Sequence, residues 1–170
     1  TLLGLVKTKR GPDTMQVAGW VRSEIDALKK KKYEIGDVCV DSIGIGAGVV
    51  DKLLSDGIDC RGVNVSEAPS IKGQHLNLRS ELWESCKLWF EGLDVVIPND
   101  EQLIAELCSV RYSFSSTGKV KVESKDDIRR RLGNNASPDA ADALILTFAS
   151  YATRKGIAWN KPLIRELPGI

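Results

Sequence analysis

The sequence is short of several things, and each shortage removes a class of protein. Its four cysteines, Cys39, Cys60, Cys86 and Cys108, are far apart and form no CxxC pair. That spacing speaks against a zinc ribbon or a disulfide framework and fits reduced thiols in a cytosolic setting. No apolar run reaches the ~18 residues that a membrane span requires, and no secretory leader is read at the start. Excess charge is missing too: 24 Lys and Arg stand against 23 Asp and Glu, a formal net charge of +1. Composition alone therefore carries no nucleic-acid footprint, and any basic surface must come from local clustering. Internal repeats and low-complexity segments are also lacking.

What remains is a chain of 170 residues, 42% hydrophobic, enough for one domain with a sizeable core. Its most informative stretch is Ser137-Pro138-Asp139-Ala140-Ala141-Asp142-Ala143-Leu144, which opens the last long helix. Ser137 suits the N-cap, where its hydroxyl would accept from a first-turn amide. Pro138 suits the first helical position, where its missing N–H is not needed. The helix then reads apolar to about Tyr151. Asp139 and Asp142 share one face, which Leu146 and Ala149 continue, so Asp142 is expected to point inward. An unpaired carboxylate among apolar groups costs several kcal/mol or shifts its pKa unless a cation meets it. The expected partner is a Lys or Arg, or a metal ion. For Asp139 the positive end of the helix dipole is an alternative explanation; for Asp142 the alternative is a buried salt bridge.

Upstream, Leu2 to Lys9 reads as a strand and Gly11-Pro12-Asp13 as a turn. A strand so near residue 1 leads us to expect a preceding segment. A short antiparallel strand is expected at Met15 to Ala18, then a helix from Trp20 with Val21, Ile25 and Leu28 on one side. Lys29 to Lys32 would be its solvated end, favoured by the dipole, rather than a DNA contact. Asp37-Val38-Cys39-Val40-Asp41 is a short apolar run ending in an acid, the pattern of a buried parallel strand. In open α/β sheets, sites form beyond the carboxyl ends of strands, where Asp41 stands. Ser42-Ile43-Gly44-Ile45-Gly46-Ala47-Gly48 leads into a helix from about Val49 to Ser55 and a strand from Ile58 to Val65, a βαβ unit. The glycines are similar to a dinucleotide loop, but Val49 stands where a third Gly or Ala belongs, and Asp41 would repel a pyrophosphate. The other reading is that small residues clear space beside Asp41 for a metal ion and a phosphodiester backbone.

His75 falls in a loop from Ser66 to Leu76 and is expected to be solvated. Asn77 opens a helix through Phe90, with Leu78, Leu82, Cys86 and Trp89 inward and Arg79 and Glu81 at the surface or behind the site. Val95-Val96-Ile97-Pro98 reads as an edge strand, and Asn99 as the cap of a helix ending near Cys108. Val110 to Phe114 and Lys119 to Glu123 alternate around Ser115-Ser116-Thr117-Gly118, which predicts a β-hairpin with Lys119 and Lys121 on one face. Ser124-Lys125-Asp126-Asp127 is a capping box with Asp in the Glu position. The helix it opens carries Arg129-Arg130-Arg131 and stops at Gly133-Asn134-Asn135. Lys119, Lys121, Arg129, Arg130 and Arg131 make the best basic patch, suited to phosphate contact and equally to an ordinary charged hairpin and helix end. After Tyr151 the chain turns polar, with Pro162 and Pro168, and reads as a surface tail.

Antiparallel strands followed by parallel βα units describe an α/β, ribonuclease-H-like mixed sheet flanked by helices, with an added β-hairpin. Such a sheet would bring Asp41 to face Asp139 and Asp142 across a cleft. Converging carboxylates are what paired Mg²⁺ or Mn²⁺ ions need, because hard cations take oxygen ligands. Two such ions ~4 Å apart suit phosphodiester hydrolysis.

The segments VDSIGIGAGVVDKL and GVNVSEAP, the N-x-R-x-E-x-W helix at Asn77, Arg79, Glu81 and Trp83, and ESKDDIRRRLG…SPDAADAL together resemble the nuclease domain of tailed-phage terminase large subunits. The resemblance runs from Leu2 to about Ala152. It implies a ribonuclease-H-like domain over residues 1–153, a tail over 154–170, and endonuclease cleavage of concatemeric double-stranded DNA with two metal ions. By position, Asp41 resembles the second catalytic carboxylate, Asp142 the last, and Asp139 an additional metal-side group. The family's first catalytic Asp belongs on a strand before Leu2, and no residue here fills that role, so this fragment is expected to bind metal weakly and cleave poorly. The resemblance also implies an N-terminal ATPase domain of the same polypeptide, a portal protein and a small terminase subunit as partners, and the cytoplasm of the infected host as location. A junction-resolving or transposase-like nuclease, and a non-catalytic nucleotide-binding or docking module, are the rival readings.

Overall fold

A computed structural model describes residues 13–133 and 136–149. The strand expected at Leu2 to Lys9 and the expected tail lie outside them. Asp13 caps the first helix, its Oδ1 accepting from the Gln16 amide at 2.8 Å. The helix, α1, runs Thr14–Lys30, so the strand expected at Met15–Ala18 is helical. Four alternating residues fit either period, and the cap, which satisfies a free first-turn amide, decides between them. Ala18 and Ile25 are its buried stripe, and Lys29 to Lys32 are exposed as expected.

Strand β1 (Cys39–Asp41), helix α2 (Gly46–Ser55) and strand β2 (Arg61–Val63) form the expected βαβ unit. β1 and β2 are parallel, with Asp41 opposite Val63. The second strand is shorter than expected. Val49 and Leu53 of α2 pack with Ala18 of α1, and Val40, Ile58 and Cys60 border them. Gly46 is the tight point of this unit. A Cβ there would stand 1.7 Å from the Asp41 carbonyl oxygen, so the absence of a side chain lets α2 begin against the end of β1.

Asn77 caps α3 (Leu78–Glu91), accepting from the Ser80 amide. Leu78, Leu82 and Cys86 are buried on its predicted stripe, with Trp89 beside them and edge-on to Phe148. Burial pushes the Cys86 thiol up to about 12, which makes it an inert core group. The loop before α3 is less solvated than its composition suggests. His75 is buried and pairs through Nε2 with Glu84. Glu81 is buried too, accepting the Ser70 amide at 2.6 Å and the Ser70 hydroxyl. The cause is that the loop folds back along α3 and against the hairpin, with the Leu76 amide donating to the Val120 carbonyl at 2.9 Å.

The edge strand expected at Val95–Pro98 is reduced to a single-residue bridge at Val96. Asp100, not Asn99, caps α4 (Glu101–Ser109), accepting from the Leu103 amide. Strands β3 (Tyr112–Phe114) and β4 (Val120–Val122) pair antiparallel, with Ser113 opposite Lys121. Ser124 caps α5 (Lys125–Leu132) through Asp127, the predicted box. Gly133, at φ +109°, ends it in a backbone region that favours glycine.

The last helix, α6, spans Asp139–Leu146, and a turn at Thr147 and Phe148 interrupts the long helix expected there. Its inner face, Leu144 and Ile145 with Phe148, joins Val63 and the α3 stripe in the main core. Among the described residues the two strand pairs remain separate two-stranded sheets, so the expected continuous mixed sheet is not seen, while the α/β class holds.

Gly46→Ala should lower stability to urea by at least about 2–3 kcal/mol, since overpacking here meets backbone rather than a flexible side chain. Gly19→Ala, in α1 with open space around it, should instead raise stability by about 0.5–1 kcal/mol. Equal effects of the two would contradict the close approach at Asp41.

Candidate active site

Asp142 lies on the inner side of the first turn of α6, as its spacing predicted, with its side chain 15% exposed. Burial that deep requires partners, and they come from two elements, α3 and α5. Arg79 Nη2 donates to Oδ1 at 2.9 Å, and the Trp83 indole N–H donates to the same oxygen at 3.2 Å. The two donors are four residues apart on α3 and so share a face. Oδ2 faces the Lys125 ammonium at 3.2 Å but is buried without a hydrogen-bond donor aligned to it. Arg79 is itself held, its Nη1 donating to the Glu123 carbonyl at 2.6 Å and its guanidinium standing 5.8 Å from the Trp83 ring centre.

Asp139 is 69% exposed. Its Oδ1 accepts from the Ser137 hydroxyl at 2.6 Å and from Lys125 at 3.3 Å. Burial opposes its ionisation, but the Ser137 bond, Lys125 and Arg129 outweigh that and hold the carboxyl below its ordinary range. Ser137 thus does not cap the helix: Pro138 takes the cap position without a side-chain bond, and Asp139 is the first helical residue. A flexible hydroxyl beside a carboxylate makes the stronger, charge-assisted bond. The amides it leaves go to Glu106 of α4.

Asp41 ends β1, which packs against α6. Its Oδ1 accepts from the Ile43 amide at 3.1 Å. That occupies one of the amides a dinucleotide loop would offer to a phosphate. Among the described residues no three His, Cys, Asp or Glu side chains are close enough to hold a metal. Two of the three predicted acids are instead paired with cations of the chain. The donor set still suits a hard cation: all oxygens, with one buried carboxylate oxygen left for charge alone. Lys125 stands where that charge is needed.

The predicted basic patch divides. Arg131 is committed to structure, gripping both oxygens of Glu123 (2.9 and 2.7 Å) and the Ser109 carbonyl. Arg129 and Arg130 pair with Asp126 and Asp127 one turn back. Lys121 is exposed, and Lys119 is half-buried. The sequence puts Lys125 in the α5 capping box, Arg79 at the surface or behind the site, and Trp83 only in the N-x-R-x-E-x-W helix, and assigns none of them to Asp142. The readable signal was an Arg and a Trp at helical spacing beside an otherwise apolar stripe.

Arg79→Met should cost about 3–5 kcal/mol, the penalty for stranding a buried charge. Arg79→Lys should not restore it, because one ammonium cannot reproduce the two-pronged contact with Asp142 and Glu123; urea unfolding measures both. Glu123 adds a pH dependence. The Arg131 bond, chiefly, holds its carboxyl below the ordinary range, against burial, with help from the Arg111 amide and both guanidinium charges. The folded state therefore binds fewer protons than the unfolded one. This contribution is complete above the unfolded carboxyl's pKa of about 4.3 and is lost as pH falls through the folded value. Arg131→Met should flatten the stability–pH curve below that point, and a parallel curve would contradict the assignment.

No protein-family model matches the chain, and neither does any curated protein. Solved structures do. One is the nuclease domain of the large terminase subunit of bacterial virus Sf6, at 19% identity and TM-score 0.59, covering 76% of this chain and 69% of that one. A second is the large terminase nuclease of thermophilic phage G20c, at 18% identity and TM-score 0.58, covering 83% and 64%. A third is the large terminase nuclease domain of Thermus phage P74-26, at 18% identity and TM-score 0.57, covering 89% and 67%. The fold of this chain is that of the nuclease domains of phage large terminase subunits.

Proposed function

We propose that this chain is the metal-dependent endonuclease domain of a viral DNA-packaging terminase large subunit, with a ribonuclease-H-like fold. One observation carries the reading. A buried carboxylate, Asp142, is held by Arg79 and Trp83 on the same helix turn as Asp139, in a helix that packs against β1, with one oxygen left facing a positive charge. Structures of the Sf6 and G20c nucleases were solved with manganese and with magnesium, and the oxygen-only donors here suit the same hard ions.

In this reading Asp41, Asp139 and Asp142 hold Mg²⁺ or Mn²⁺, two ions with the upstream acid that the resemblance implies. Bound, such ions supply an activated water and stabilise the leaving oxygen of a phosphodiester. Arg79 and Trp83 fix the direction of Asp142. Lys125 balances the charge of Asp139 and Asp142 and must share them with an incoming ion, which makes cation binding by this chain weak. Lys119, Lys121, Arg129 and Arg130 contact the phosphates of double-stranded DNA, while Arg131 stays with Glu123. The ATPase domain, portal protein and small terminase subunit are partners of the whole protein in the host cytoplasm.

Asp41→Asn and Asp142→Asn should each reduce Mn²⁺-dependent nicking of supercoiled plasmid to background while circular dichroism stays unchanged. Undiminished cleavage by both would sink the proposal, and a clear preference for four-way junctions over linear duplex would move it to a resolvase. Neutralising Lys119, Lys121, Arg129 and Arg130 should lower the salt slope of DNA binding by roughly 0.9 for each phosphate left without its countercharge. Arg131 is left in place because it holds Glu123; an unchanged slope in the fourfold variant would mark the patch as merely solvated.

A further inference from the structure

The helix that carries the acid pair lacks a cap of its own. Pro138, in the cap position, offers no side-chain bond, and the Ser137 hydroxyl is turned to Asp139. The amides of Ala140 and Ala141 are the second and third of the helix, those an N-cap side chain ordinarily serves. Both donate to one carboxylate oxygen, Glu106 Oε2, at 2.7 and 3.0 Å. Glu106 comes from α4, 34 positions before Ala140 in the chain. Its other oxygen accepts from the Gln102 side-chain amide at 2.7 Å. α4 is a firm base for this contact, being capped by Asp100 and anchored by the fully buried Leu103. A negative charge at this end of α6 is also favoured by the helix dipole.

Ala140 and Ala141 are the residues between Asp139 and Asp142. A clamp on their amides therefore sets the backbone from which both acids project. We infer that Glu106 is a positioning residue for the acid pair, capping α6 from a neighbouring helix and so fixing the directions in which Asp139 and Asp142 leave its first turn. The consequence for cation binding rests on the nuclease reading; the positioning itself does not.

The test uses the full 170-residue chain with Glu106→Ala, Glu106→Gln and, as a control that destabilises the same helix while keeping the Glu106 carboxylate, Leu103→Ala. Amide exchange at Ala140 and Ala141 reports the cap, and the Trp83 indole N–H resonance reports the side chain it bonds, Asp142. Glu106→Ala should speed exchange at both amides roughly fivefold or more, the size of a missing cap, and should shift the Trp83 indole signal. Glu106→Gln, which keeps an acceptor oxygen while the Gln102 amide turns over, should restore both. Leu103→Ala should lower stability yet leave the indole signal in place. Unchanged amides in Glu106→Ala, or loosened amides with an unmoved indole signal, would overturn the inference. A Mn²⁺ titration of the same proteins separates the two claims. Failure of the unsubstituted chain to bind Mn²⁺ would count against the nuclease reading alone, whereas binding that weakens in Glu106→Ala and recovers in Glu106→Gln extends the inference to the ion.

Discussion

The arrangement depends on accommodating one carboxylate, that of Asp142, in a poorly hydrated place. At 2.9 Å and an effective dielectric near 20, the gross attraction between Asp142 and Arg79 is roughly 6 kcal/mol. Removing each charge from water costs several kcal/mol, so this pair alone does not hold itself. The added bonds close the gap: the Trp83 indole on the same oxygen, the Glu123 carbonyl on the guanidinium, and the Lys125 charge beyond. Each belongs to a different part of the chain, and the packing of α3, α5, α6 and the hairpin end around this point follows from that requirement.

The same point explains why the hairpin is tied down so heavily at one end. Glu123 gives its backbone carbonyl to Arg79 and its side chain to Arg131 and the Arg111 amide. It therefore joins β4, α5 and the acid helix through Arg79. Of the three arginines in a row, only Arg131 is turned inward to this task. The two others lean on acids of their own helix at exposed positions, where such pairs contribute little.

Much of this was legible in the chain. The βαβ unit, the α3 stripe, the hairpin and the Ser124 box each rested on a local signal, a period or a capping residue, and local signals survive folding when the core agrees with them. The inward turn of Asp142 was legible for the same reason. What the sequence concealed was long-range. Ser137 looked like a cap because nothing nearby shows that Glu106 will serve the amides instead. His75 looked solvated because its burial depends on the loop folding back along α3 to Glu84. Lys125 looked like part of a box because the acids it meets lie 14 and 17 residues on. The mistaken strand at Met15–Ala18 is the reverse case, a local signal too short to decide between two periods.

The two cations around the acid pair are unequal, and the inequality bears on what the site can do. Arg79 is 11% exposed, held at Asp142 and Glu123 and backed by an aromatic ring. Lys125 is 38% exposed, on a flexible stem, and reaches both acids with a single ammonium at 3.2–3.3 Å. A planar fork pinned on both prongs and a solvated point charge have different freedom to leave. The chain thus combines one fixed countercharge, which keeps Asp142 aimed, with one in contact with water, on the side where the unbonded carboxylate oxygen lies. Had both been arginines locked in place, the oxygens would be closed to any other cation.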